Sequence, residues 1–366
     1  MSGSMLRYFA GGNTAKGFYN LYDSNLFGIE RVLLLSGKSQ SEKADVVQRL
    51  LNKWRDSEIA FEVIHNSANP EQLEGFIIRD LGFAIIDGDH PRVLGDYVGL
   101  EWETIDLDQL ASIKQHENYE DDINDLKEKI ANHYKKAYDA YETALRVHDD
   151  WEGIYIRQMD FDQANKVTND LISKLFQEDE IQTDKESRIL RRFLGAATPE
   201  GPVDFVDNIT EGLTKRFFLK GRAGTGKSTL LKKVVAEAEK HRYDLEIYHC
   251  GFDPGSLDMV LVRELGWAVF DSTAPHEYFP SLPNDEVIDM YELTVAPGTD
   301  ETYAEEIAVI EAKYREQMRL GKLHLAEVKK YQDELETVYA KITDRTHIET
   351  IYNELEQLLG QIIEEE

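Results

Sequence analysis

The sequence predicts an α/β protein made of two tandem copies, each with a mostly parallel sheet and a long helical-hairpin extension. Three observations carry this. The chain matches itself at an offset of 184 residues, strands alternate with helices in the first part of each repeat, and a proline-free helical pattern fills the second part. Without a gap, Arg7–Arg92 aligns with Arg191–His276 at 20 identities in 86 positions, where about 5 are expected by chance. The first copy is therefore 5–184, with its α/β part about 5–92 and its helical part about 100–184. The second is 185–366, with an α/β part about 190–276 and a helical part about 285–366.

In the second copy, Phe193–Ala197 reads as a first strand and Thr198–Pro202 as a turn. Residues 203–212 read as a short helix, 215–220 as an apolar strand and 227–241 as a helix. Leu245–His249 is a further strand, 255–264 a helix, and Trp267–Asp271 a strand ending in an acid. No proline occurs between Pro91 and Pro199 or after Pro297. Apolar residues there recur at helical spacing, from Ile123 through Tyr141 and from Ile307 through Ile342. These stripes read first as packing seams between long helices. They are also candidate surfaces for a protein partner or self-association, and Arg315 and Arg319 raise the alternative of a lid.

Between the strand at 215–220 and the helix at 227–241 stands Gly-Arg-Ala-Gly-Thr-Gly-Lys-Ser-Thr, residues 221–229. Gly221, Gly224 and Gly226 let the backbone approach an anion closely. The N–H groups of Arg222, Ala223, Thr225 and Thr229 belong to the same cradle at a helix N-terminus, where the dipole favours phosphate. In this pattern Lys227 reaches the terminal phosphates and Ser228 places a hydroxyl on Mg²⁺. A nucleoside triphosphate is the expected ligand. In the first copy Lys43 faces Lys227, but Glu42 replaces Gly226 and Ala44 replaces Ser228, so that copy reads as a degenerate, non-hydrolysing partner.

Asp271, at a strand end and matched by Asp87, is the expected second metal-shell residue. Ser272 follows it, so the glutamate that often activates water next to such an acid is missing. Asp253, past a strand end and facing Asn69, is the candidate base; the alternative is a turn initiator before Pro254. His249 and His276 are weaker candidates for phosphate contact. Arg263, matched by Arg79, is either a charge pair or a phosphate sensor, and twofold packing of the copies would let one present an arginine to the other's nucleotide.

With 70 acidic and 41 basic residues the net charge is −29, which disfavours nucleic acid as a partner. The single Cys250 fits a reducing, cytoplasmic setting, and no apolar run is long enough to span a membrane. Met1-Ser2-Gly3-Ser4 before Met5 reads as a vector-derived or alternative start.

The chain resembles a family of little-characterised bacterial tandem P-loop ATPases. Arg191, Phe193, Gly195, Thr198, Gly201, the 221–229 loop, Asp271 and Pro275 carry the resemblance, and Glu42 and Ala44 depart from it. It implies two P-loop NTPase-like domains with Mg²⁺-dependent ATP binding and hydrolysis in the second. Two alternatives stand beside this reading: a kinase passing the γ-phosphate to a small acceptor, and a nucleotide-sensing module with negligible turnover. Guanine specificity is disfavoured, because Asn165-Lys166-Val167-Thr168 lacks the acid of an Asn-Lys-x-Asp motif.

Overall fold

A computed structural model describes residues 4–89, 101–108, 119–176, 186–274, 277–343 and 345–364. The first half forms β1 (Met5–Tyr8), β2 (Gly11–Thr14), β3 (Gly17–Asn20), α1 (Tyr22–Asn25), β4 (Arg31–Ser36), α2 (Gln40–Trp54), β5 (Phe61–His65), β6 (Leu73–Ile78), β7 (Phe83–Asp87), β8 (Glu101–Asp106), α3 (Glu120–Ile156) and α4 (Phe161–Leu175). The second forms β9 (Ile189–Phe193), β10 (Gly195–Thr198), β11 (Gly201–Asp204), α5 (Val206–Ile209), β12 (Lys215–Lys220), α6 (Lys227–Lys240), β13 (Leu245–His249), β14 (Leu257–Val262), β15 (Trp267–Asp271), β16 (Glu286–Asp289), α7 (Met290–Thr294), α8 (Thr299–Thr302), α9 (Ala304–Ile342) and α10 (Arg345–Glu364).

Two six-stranded sheets share one strand order, β1-β5-β6-β7-β4-β8 and β9-β13-β14-β15-β12-β16. In each, the central strand β6 or β14 runs antiparallel to both neighbours and the other pairings are parallel. The fold is mixed α/β with mostly parallel pairing. Segment 255–264, expected as a helix, instead holds strand β14. Asp253 makes a tight turn, accepting from Gly255 N at 3.1 Å through its side chain and from Ser256 N at 3.0 Å through its carbonyl. The turn folds the buried run Leu-Asp-Met-Val-Leu-Val back beside β13, where β-branched residues pack well. The expected strand Phe193–Ala197 is divided between β9 and β10, and the sixth strand of each sheet falls in segments assigned to the helical parts.

β2 and β3 join β10 and β11 in a four-stranded sheet, with Asn13 opposite Ala197 and a bridge between Phe9 and Phe193. Each pair is offset by 184, so equivalent residues meet across a pseudo-twofold axis. At this axis Arg192 is fully buried and bridges Glu62 of one half and Glu246 of the other, at 2.8 Å each. Each sheet alternates two apolar faces. Val32, Ile64 and Ile86 pack with Phe218, Tyr248 and Phe270 in one core shared by both sheets. Leu33, Leu35, Phe217 and Leu219 face outward onto helices.

Those outer faces correct the expectation of a helical hairpin within each copy. α3 packs antiparallel along α9 instead: Ile123 and Leu126 meet Leu335, Tyr339 and Ile342 at one end, and Tyr141 meets Leu325 near the middle. Gly321 is required at the crossing, since a Cβ there would lie 2.1 Å from the Tyr141 ring. After α3 the chain turns away, and α4 places Leu171 and Leu175 on the outer face of the second sheet. Conversely, α10 places Ile348, Ile351, Tyr352, Leu355 and Leu359 on the first. Each half thus caps the other's core. Arg315 and Arg319 lie exposed on α9, paired along the helix with Glu311 and Glu316, so neither is arranged as a lid contact.

Candidate phosphate-binding site

The Gly-rich loop joins β12 to α6, and its glycines adopt backbone shapes that side-chain-bearing residues avoid: φ is 151° at Gly221, 72° at Gly224 and 83° at Gly226. α6 begins at Lys227, so its unpaired N–H groups open onto the loop. The Lys227 ammonium lies inside the loop, donating to Arg222 O at 2.9 Å and Gly221 O at 3.4 Å, and sits 3.6 Å from Asp271 Oδ2. β15 pairs directly with β12, which is why Asp271 reaches this corner. Asp271 Oδ1 accepts from Thr273 N at 3.0 Å, and Ser228 Oγ accepts from Leu257 N at 3.0 Å. Lys227, Ser228 and Asp271 are therefore brought to one corner beside the loop.

Asp253 is placed differently. Its carboxylate is 3.2 Å from Lys16 of the first half and accepts from Gly255 N, so the contacts it makes are those of a turn and an inter-half ion pair. His249 donates from Nδ1 to Pro254 O at 2.7 Å and accepts from Arg191; His65 repeats the first contact with Pro70 O at 2.8 Å. Burial lowers the pKa of both rings, that of His65 to about 4. Arg263 pairs with Glu246 as Arg79 does with Glu62, which fits the charge-pair alternative. His276 and Pro275 lie outside the described residues.

The corresponding corner of the first half is built from the equivalent strands β4 and β7 with opposite chemistry. α2 starts at Gln40, the counterpart of Gly224, so residues that would form the cradle are wound into helix. Internal carboxylates take the loop's donors: Gly37 N donates to Asp89 at 3.0 Å, Lys38 N to Asp108 at 2.8 Å and Gln40 N to Glu336 at 2.8 Å. Lys43, 3% exposed, is held by Asp87 at 2.8 Å and by Asp89. Glu42 lies in the first helical turn, its pKa raised by burial while Arg345 opposes the shift.

Sequence reasoning missed the first half's contribution to the second half's loop. A Cβ on Gly224 would lie 2.6 Å from Glu152 O, and one on Gly226 would lie 3.8 Å from the Met159 methyl. The end of α3 and the turn after it therefore lie across the loop. Asp300 accepts from Tyr155 at 2.9 Å and from Arg222 at 2.9 Å, and the Arg222 guanidinium lies 5.1 Å from the Tyr291 ring centre. A signal existed: the 184-residue offset, carried past the ungapped match, aligns Glu152 with Glu336 and Tyr155 with Tyr339.

No protein-family model, curated protein or solved structure matches the chain. No helix among the described residues is long and apolar enough to cross a membrane.

Proposed function

We propose that the second half is a P-loop NTPase-like unit that binds a nucleoside triphosphate, ATP in the first reading, and hydrolyses it slowly. The first half is then its duplicated, degenerate partner. The observation that carries this is the junction of β12 with α6, where three positive-φ glycines wrap the Lys227 ammonium at a helix N-terminus. Backbone donors, helix dipole and a fixed cation converge there, as phosphate binding requires. Asp271 and the Ser228 hydroxyl supply the hard oxygen donors that suit Mg²⁺, which takes one or two protein oxygens and completes its shell from phosphate and water. Bound there, the ion would neutralise phosphate charge.

In hydrolysis a water oxygen bonds to the γ-phosphorus and its proton passes to an oxygen of the phosphate product. The bond to the β–γ bridging oxygen breaks, and the electron pair leaves with the diphosphate. Lys227 offsets charge on the terminal oxygens, and the loop fixes the chain of phosphates. No acid follows Asp271, which supports slow turnover and keeps transfer to a small acceptor as the second reading.

Product analysis of labelled ATP, with and without an acceptor panel, tests the proposal when paired with titration of a fluorescent ATP analogue. One tight site, inorganic phosphate as product, and loss of Mg²⁺-dependent turnover in Ser228→Ala and Asp271→Asn are expected. Two equivalent sites, or wild-type turnover in either variant, would overturn the assignment.

A further inference from the structure

Arg157 follows α3 directly, in the segment that the first half lays across the second half's loop. Its Nη1 lies 3.4 Å from the Cβ position of Gly153, so the side chain runs back one turn toward the residue next to Glu152, which itself abuts Gly224. The segment is pinned at both edges. Asp160 N donates to Thr294 O at 2.7 Å, Ala296 N donates to Gln158 O at 2.9 Å, and the Met159 thioether covers Gly226.

The arginine of the loop itself, Arg222, is engaged by Asp300, and Arg191 on β9 is engaged by His249. Arg157 is exposed and makes no ion pair or side-chain hydrogen bond among the described residues. With 70 acidic residues in the chain, an unpaired guanidinium on the segment that crosses an anion cradle is unexpected unless an anion is its partner. Its counterpart Lys341 instead lies over the Tyr119 ring at 5.6 Å, beside the corner already filled with carboxylates.

We infer that Arg157 is a phosphate-contacting residue supplied by the first half to the nucleotide of the second, an arginine finger within one chain. Swung from that segment toward the loop, the guanidinium would meet phosphate oxygens where charge shifts toward the bridging oxygen as the γ-phosphorus bond breaks. This rests on the nucleotide-binding reading above. It also gives the pseudo-twofold arrangement a purpose that two independent domains would not have, since the site is complete only with both halves.

The test compares wild type, Arg157→Ala, Arg157→Lys and, as control, Arg146→Ala, whose residue is exposed on α3 and paired with Glu142. Single-turnover hydrolysis and affinities for Mg·ADP and a non-hydrolysable triphosphate are measured on the full chain. Arg157→Ala is expected to lower turnover by about 10³-fold or more. It should also cut the preference for triphosphate over diphosphate about tenfold, while the affinity for Mg·ADP stays within about twofold. Arg157→Lys should restore little, because the planar fork is lost. The affinity ratio reads the contact even in a protein that turns over little. Turnover and ratio both within about twofold of wild type in Arg157→Ala would overturn the finger while leaving the nucleotide site standing. Failure of the wild-type chain to bind any nucleotide would overturn both.

Discussion

The two loop-and-helix corners sit at the same place in the same strand order and satisfy their backbone donors in different ways. In the first half, Asp89, Asp108 and Glu336 accept from Gly37, Lys38 and Gln40. In the second, three glycines hold the loop open around Lys227. A cradle of N–H groups at a helix N-terminus calls for negative charge whichever way it is supplied. The first half's corner receives it from carboxylates of the chain itself, Glu336 among them contributed by the second half, and becomes a structural joint; in the proposed reading the other corner takes it from a ligand. The contrast can be broken or sharpened at several points.

The largest effect concerns the exchange of capping helices. Five side chains of α10 pack in the first half's outer core, and at roughly 1.5–3 kcal/mol apiece they rival the ~5–15 kcal/mol of a typical domain. Removing residues 345–364 should therefore unfold the first sheet, and halves 5–184 and 185–366 made separately should fold only when mixed. Circular dichroism and size-exclusion chromatography check this, and a folded monomeric half would contradict it. Leu355→Ala and its counterpart Leu171→Ala should each cost about 2–5 kcal/mol in the intact chain.

Next comes the lysine pair. Lys227→Ala should abolish tight nucleotide binding with little change in stability, because Lys227 bonds mainly to loop carbonyls. Lys43→Ala should do the reverse. It strips the cation from Asp87 and Asp89 in a buried site, a loss of about 3–5 kcal/mol, and should leave nucleotide affinity unchanged. Urea denaturation and ligand titration on both variants decide it; a binding defect in Lys43→Ala would return a ligand role to the first half.

What the sequence disclosed, and what it hid, follows from where the signals reside. The loop glycines, Lys227 and Asp271 were legible because they sit in one local strand–loop–helix pattern and one strand end. The 184-residue repeat was legible because it is a property of the sequence itself. Strand β14 was misread: apart from Asp258, Leu257–Val262 is apolar on both faces, so periodicity cannot separate strand from buried helix, and only the Asp253 turn decides. The exchange of α4 and α10 was invisible, since the stripe on Leu171 and Leu175 suits any apolar sheet face. Glu152 was hidden for the same reason, its neighbour Gly224 being contributed by the other half.

A smaller effect distinguishes the paired histidines. His65 is buried with Nδ1 on Pro70 O and Nε2 without a partner, its pKa lowered to about 4 against ~6.5 when unfolded. The unfolded chain therefore binds the extra proton first. The His65 contribution to stability is complete above about pH 6.5 and is lost as the pH falls toward 4. Melting temperature should decline over that window, and His65→Gln should flatten the decline more than His249→Gln, since His249 is less buried. Glu62, held down to about 2 by Arg192 and Arg79 against the opposing pull of burial, contributes its own loss only at lower pH. Equal flattening by the two variants would remove the distinction between the halves.

The smallest effect separates a turn residue from a base. Asp253 faces Asn69 in the first half, and its carboxylate serves Gly255 N and Lys16. Asn keeps the turn contact and forfeits a partly exposed ion pair, so Asp253→Asn should shift stability by no more than about 1 kcal/mol. With Lys16 holding the carboxylate on the inter-half seam, turnover should stay within about threefold of wild type, against the 10²-fold or greater fall typical of a lost general base. Lys16→Met provides the cross-check, because it frees the carboxylate without removing it. If Asp253→Asn loses a hundredfold in single turnover while melting normally, Asp253 is the proton acceptor after all, and the difference between Asp253 and Asn69 joins Glu42 and Ala44 in the contrast between the two corners.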